Sequence, residues 1–166
     1  MQQRILHARL RLDQMPQVER EGQALARQAA LLLGPDHPDT LQVRLNIAQA
    51  LLAQQKNTAM IAEAAAILPL IERRFGRDHP RTLQLLGSRM DAYKNLERYR
   101  EAREDGERIW RSAERRFGAN SFYAVGSLLD TARVRCRAGD ASGGLEDALA
   151  AYRWAQQGFG ADHALT

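Results

Sequence analysis

The chain has 166 residues, 45% hydrophobic and 27% charged, with 24 lysines and arginines against 20 aspartates and glutamates for a formal charge of +4. That composition suits a folded domain and excludes a disordered tract or low-complexity linker. A single cysteine, Cys136, excludes an internal disulfide framework and fits a reducing compartment.

The N-terminal segment, Met1 to Leu12, places Ile5, Leu6, Leu10 and Leu12 on an amphipathic pattern and not in an apolar signal core. Met15-Pro16 interrupts it, and a second helix is predicted from Gln17 to Leu33. Asp36-His37-Pro38 is a helix-start signal, because a polar residue can cap the open amides while proline, with no amide hydrogen to lose, pre-sets the first turn. Helix A of this unit is predicted from about Asp39 to Gln54, with Leu41, Leu45, Ala48, Leu51 and Leu52 at helical spacing. Gln55-Lys56-Asn57 forms the turn, and helix B runs from about Thr58 to Phe75. Gly76 is expected to stop it as a left-handed residue, with Arg73 and Arg74 complementing the dipole of the last turn. Pro69 is an anomaly that predicts a kink in helix B. The next pair is predicted from about Arg81 to Leu96 and from Tyr99 to Phe117, and the last pair turns at Ala138-Gly139-Asp140.

These elements repeat. Phe75-Gly76-Arg77-Asp78-His79-Pro80-Arg81-Thr82-Leu83 echoes Leu33-Gly34-Pro35-Asp36-His37-Pro38-Asp39-Thr40-Leu41, and Phe117-Gly118 and Phe159-Gly160-Ala161-Asp162-His163 follow. The glycines at 34, 76, 118 and 160 stand 42 residues apart without insertion or deletion. Such a period marks stacked like units. The predicted division is a partial repeat over 1–34, full repeats over 35–76, 77–118 and 119–160, and the opening of a further one over 161–166. Reading one period back from Ile47 and Ala48 reaches Ile5 and Leu6, so the first unit lacks its opening residues and a longer parent chain is expected.

Leu45-Asn46-Ile47-Ala48, Tyr99-Arg100-Glu101-Ala102 and the Gly-x-Asp-His-Pro-x-Thr-Leu junction resemble the 42-residue tetratricopeptide repeat of kinesin light chains and of many bacterial regulators. The resemblance covers essentially the whole chain. It departs at Asn57 and Met60 in the second unit and at Ala141, Gly144 and Asn120-Ser121 in the fourth. It implies an all-α solenoid of helix-turn-helix repeats, a right-handed superhelix whose A helices line a partner-binding groove. A stack does present a continuous face built from one helix of each unit. Carried onto this sequence, the groove positions are Gln3, His7 and Arg11, then Gln42, Leu45, Asn46, Gln49 and Leu52, then Gln84, Asp91, Lys94 and Asn95, then Leu129, Arg133 and Arg137. Amides can bind an extended peptide backbone without reading its sequence, and Lys94, Arg133 and Arg137 suit an acidic side chain or a terminal carboxylate.

The remaining candidates read as structural. His37, His79 and His163 recur one per unit, and successive units lie too far apart, roughly 10 Å, for them to share a zinc ion. Cys136 lies between Arg135 and Arg137, a setting that can favour thiolate, but it has no histidine nearby in sequence. Trp110 and Trp154 sit at helix-B spacing and read as packing residues. No phosphate loop, zinc-binding His-Glu-x-x-His or serine elbow is present, so neither an enzyme, a metal nor a cofactor is expected. The pI near 9.7 raises nucleic acid as a partner, but acids and bases interleave as in Glu97-Arg98-Tyr99-Arg100-Glu101, the pattern of solvated helix faces. Ile61 to Ile71 is broken by Glu63 and Pro69 and is too short to span a bilayer, which needs about 20 residues. The expected function is a non-catalytic protein- or peptide-binding repeat module within a larger cytoplasmic regulator of the kinase or transcription-regulator type. The alternatives are a self-association or intramolecular docking array, and a small-ligand or signal-peptide sensor.

Overall fold

The computed structural model describes residues 15–160, and within them each segment of apolar residues at helical spacing forms a helix. Among these residues all regular structure is helical: α1 (Met15–Leu33), α2 (Pro38–Ala53), α3 (Asn57–Phe75), α4 (Pro80–Asn95), α5 (Tyr99–Phe117), α6 (Phe122–Arg137) and α7 (Ala141–Phe159). The helix starts at Pro38, Pro80 and Phe122 stand 42 residues apart, as do the starts at Asn57, Tyr99 and Ala141. None of the described helices is long and apolar enough to cross a membrane.

Local chemistry sets the boundaries. His37 caps α2 by accepting the Asp39 amide on Nδ1 at 3.2 Å, and His79 does the same for the Arg81 amide at 3.2 Å. Pro38 and Pro80 are thus the first helical residues, one earlier than the sequence suggests. Where the junction loses Asp-His-Pro, Ser121 takes over, its Oγ accepting the Ala124 amide at 3.3 Å. The stop after α3 differs from expectation: Gly76 has φ 101° and ψ 159°, an extended region essentially reserved for glycine and not the left-handed helical one. Its amide still bonds to the Glu72 carbonyl at 2.9 Å and closes the last turn. Pro69 does not interrupt α3, and it lies on an exposed side where solvent can take the carbonyl it leaves unpaired.

The chain divides into two units, Met1–Asn95 and Leu96–Thr166. In the first, α1 packs on α2, α2 on α3 and α3 on α4, with α2 also touching α4. Leu41, Ile67, Ile71, Leu85 and Leu86 are fully buried there, each side chain contributing about 1.5–3 kcal/mol. In the second, α6 packs on both α5 and α7. Val125, Leu128, Ala151 and Ala155 form its core, against which Trp110, Leu129, Trp154 and Phe159 close. Of the departures at the start of α7, Gly144 is a packing device. A Cβ at Gly144 would meet Cys136 and stand 2.8 Å from the Ala132 carbonyl oxygen, so glycine lets α7 approach α6 closely.

Candidate functional site

On α2 and α4, residues three, four and seven apart share a face, so the carried-over positions on each helix are neighbours. Gln42, Gln49 and Leu52 are partly exposed on α2. Leu45 and Asn46, at 2% and 3% exposure, are instead packed, because α2 has α1, α3 and α4 around it and little of its circumference stays open. The accessible part of this face is therefore narrower than expected. Asn46 orients the face from below, accepting from the Gln42 amide at 3.1 Å.

On α4, Gln84, Asp91 and Asn95 are exposed and Lys94 is partly so. Lys94 Nζ lies 2.8 Å from Asp91, and Asn95 donates to Asn57 Oδ1 at 3.1 Å, tying the end of α4 to the start of α3. In the second unit, Leu129 turns toward the core, Arg133 extends into solvent with its side chain 78% exposed, and Arg137 is exposed. Arg133 meets Asp130 at 3.1 Å, an exposed pair worth at most about 1 kcal/mol that a partner carboxylate can displace. Gln3, His7 and Arg11 lie outside the described residues, as does His163.

A concave feature that the sequence does not announce lies elsewhere in the first unit. Between α1 and α3, above α2, lies an open groove of about 590 Å³. Ile47 and Leu51 form its floor and Ala26, Ala30, Ala59 and Ala62 its walls. These α2 residues are on the opposite side of the helix from Gln42 and Gln49, at 100° per residue. Of the four charged residues that line the groove, Arg27 is exposed on α1 and the other three are paired internally. Arg44 grips Glu63 with two bonds of 2.7 and 3.0 Å. Glu19 accepts from Lys56 at 2.6 Å and Gln54 at 3.0 Å, and the Lys56 ammonium holds its carboxyl below the usual range. Alanine reads equally well as surface or interior, so only the missing bulk between helices could have signalled the groove.

Cys136 is exposed, and no group of three or more histidines, cysteines or acids among the described residues could hold a metal ion.

No protein-family profile and no curated protein matches the sequence. Solved structures do match in shape. A Podosopora anserina protein described as a kinesin light chain with nearly identical TPR-like repeats superposes with a TM-score of 0.85 at 15% identity, over 99% of this chain and 78% of that one. A single-substitution variant of the same protein gives a TM-score of 0.85 at 15% identity, over 99% of this chain and 77% of its own. The fold of this chain is therefore an all-α, TPR-like solenoid of helix-turn-helix repeats.

Proposed function

We propose that the chain is a non-catalytic module that binds an extended protein or peptide segment on the open faces of its A helices. The repeats are those of residues 35–76, 77–118 and 119–160, preceded by a partial one. The observation that carries the reading is the polar face itself: Gln42 and Gln49 on α2 and Gln84, Asp91, Lys94 and Asn95 on α4 stay at least partly accessible, while Leu41, Val43 and Ala48 on α2 and Leu85, Leu86 and Met90 on α4 are buried. Amides there bond the backbone of a guest, and Leu52 supplies apolar contact. Arg133 and Arg137 on α6 favour an acidic guest, because Arg137 has no ion pair within the described residues and Arg133 has only the exposed Asp130. A place within a larger cytoplasmic regulator fits such a docking role.

Three labelled peptides of equal length, one acidic, one neutral and one basic, test this by fluorescence anisotropy. The acidic peptide is expected to bind most tightly, and Arg133→Glu/Arg137→Glu of unchanged helix content to weaken it about tenfold, or about 1.4 kcal/mol. Equal affinities for all three peptides, or for both proteins, would overturn the reading.

A second reading, self-association, is supported by one observation. Leu145, Leu149 and Tyr152 share one face of α7 and are 60%, 52% and 43% exposed. Sedimentation of wild type beside Leu149→Glu tests it: a mass that rises with concentration in wild type alone supports the reading, and a constant mass removes it.

A further inference from the structure

The two units treat the same place differently. Leu33 and Phe117 end α1 and α5, and Pro38 and Phe122 begin α2 and α6, so position 26 of the first unit corresponds to position 110 of the second. In the second unit that position is Trp110, whose indole lies against Val125, Leu128, Ala151 and Ala155 and stacks on Trp154 at 6.3 Å between centroids. Leu51 corresponds in the same way to Arg135, which stands between Asp140 and Asp147. Large side chains of the chain itself thus stand in the corresponding place beside α5 and α7. In the first unit Ala26 and Leu51 leave it open as the groove between α1 and α3.

We infer that this groove is a docking site for a partner protein, which inserts an aromatic side chain of indole size where the second unit uses its own Trp110. Three observations converge. The volume of about 590 Å³ lies within the roughly 300–1,000 Å³ usual for built ligand sites. The lining is mostly apolar, with Ile47, Leu51 and four alanines, and three of its four charged residues, Glu19, Arg44 and Glu63, are already paired, so an ionic guest gains little from them. Arg44 favours a ring over an aliphatic chain: its guanidinium is fixed by both Glu63 oxygens and offers a planar cation to an aromatic face. The site is separate from the polar face proposed above, lying on the other side of α2.

The test is a titration of isotope-labelled full chain with N-acetyl-tryptophanamide, followed by amide chemical shifts, with N-acetyl-alaninamide as control and free indole as a third probe. Saturable shifts are expected at Ala26, Ile47, Leu51 and Ala59 with the tryptophan amide and not with the alanine amide. Ala26→Trp is expected to abolish them and to raise the thermal midpoint, by filling the groove as Trp110 fills its counterpart. Ala30→Glu, which places at the rim the residue found at Glu114, is the second variant should Ala26→Trp not fold, and it too is expected to abolish the shifts. Arg133→Glu/Arg137→Glu is expected to leave them unchanged, which separates this site from the acidic-peptide face. The absence of saturable shifts, or their persistence in a folded groove-filling variant, would overturn the proposal. Free indole binding more tightly than the tryptophan amide would also overturn it, in favour of a small aromatic compound.

Discussion

The Arg135 guanidinium meets the Asp140 carboxylate at 2.8 Å and Asp147 at 2.7 Å, bracing α6 against the start of α7. Asp140 also caps α7, accepting the Gly143 amide at 3.0 Å. The guanidinium first, and then that amide, hold its carboxyl below the usual range. Because the folded value is depressed, the unfolded chain takes up its proton first. The contribution is complete above the unfolded value of about 4 and is lost as pH falls through the folded one. Asp140→Asn is expected to lower the thermal midpoint at neutral pH, with the gap to wild type closing on acidification. Melts at successive pH values check this; a gap independent of pH would contradict it.

Two glycines on helices are expected to respond oppositely to alanine. At Gly144 the new methyl group meets Cys136 and the Ala132 carbonyl oxygen, and that backbone cannot move aside without parting α6 from α7. The expected cost is about 1–3 kcal/mol. At Gly87, within α4, nothing lies within 4 Å of the new atom, and the gain in helix propensity is about 0.5–1 kcal/mol. Denaturant unfolding of both variants measures the difference.

The turns inside the helix pairs hold a left-handed residue at matching places: Gln55 and Glu97 at φ 57°, and Gly139 at φ 92°. Only the third is glycine. Glu97→Gly and Gln55→Gly relieve a backbone conformation that costs a residue with a Cβ about 1–2 kcal/mol. A rise in thermal midpoint of a few degrees is expected for each, with helix content by circular dichroism unchanged.

Pro69 lies within α3 without ending it. Restoring the missing amide donor with Pro69→Ala is expected to stabilise the chain, by up to about 3 kcal/mol. Chemical denaturation reads the gain, and a loss of stability would show that the proline is fitted to its place.

Much of the fold was legible because glycine and proline act locally. The predicted ends from Leu33 to Leu96 fall within a residue of those observed, Tyr99–Phe117 matches its predicted span, and the predicted turn at Ala138-Gly139-Asp140 separates α6 from α7. The left-handed turn residues were not legible at Gln55 and Glu97, whose side chains carry no preference for that conformation; Gly139 alone hinted at it. The site was less legible than the fold. Exposure on α2 depends on how many helices surround it, which periodicity does not encode, so the sequence pattern alone does not reveal that Leu45 and Asn46 are buried. The groove is defined by what Ala26 lacks, and it emerges only when that position is compared with Trp110.

On the proposed function, the polar A-helix faces receive the guest. The most direct measurement is an amide chemical-shift map of the labelled chain on adding the acidic peptide. Perturbations are expected at Gln42, Gln49, Gln84 and Lys94 in the first unit and at Arg133 and Arg137 in the second. Perturbations confined to Ala26, Ile47 and Ala59, or to α7 around Leu149, would contradict it and place the guest on another surface.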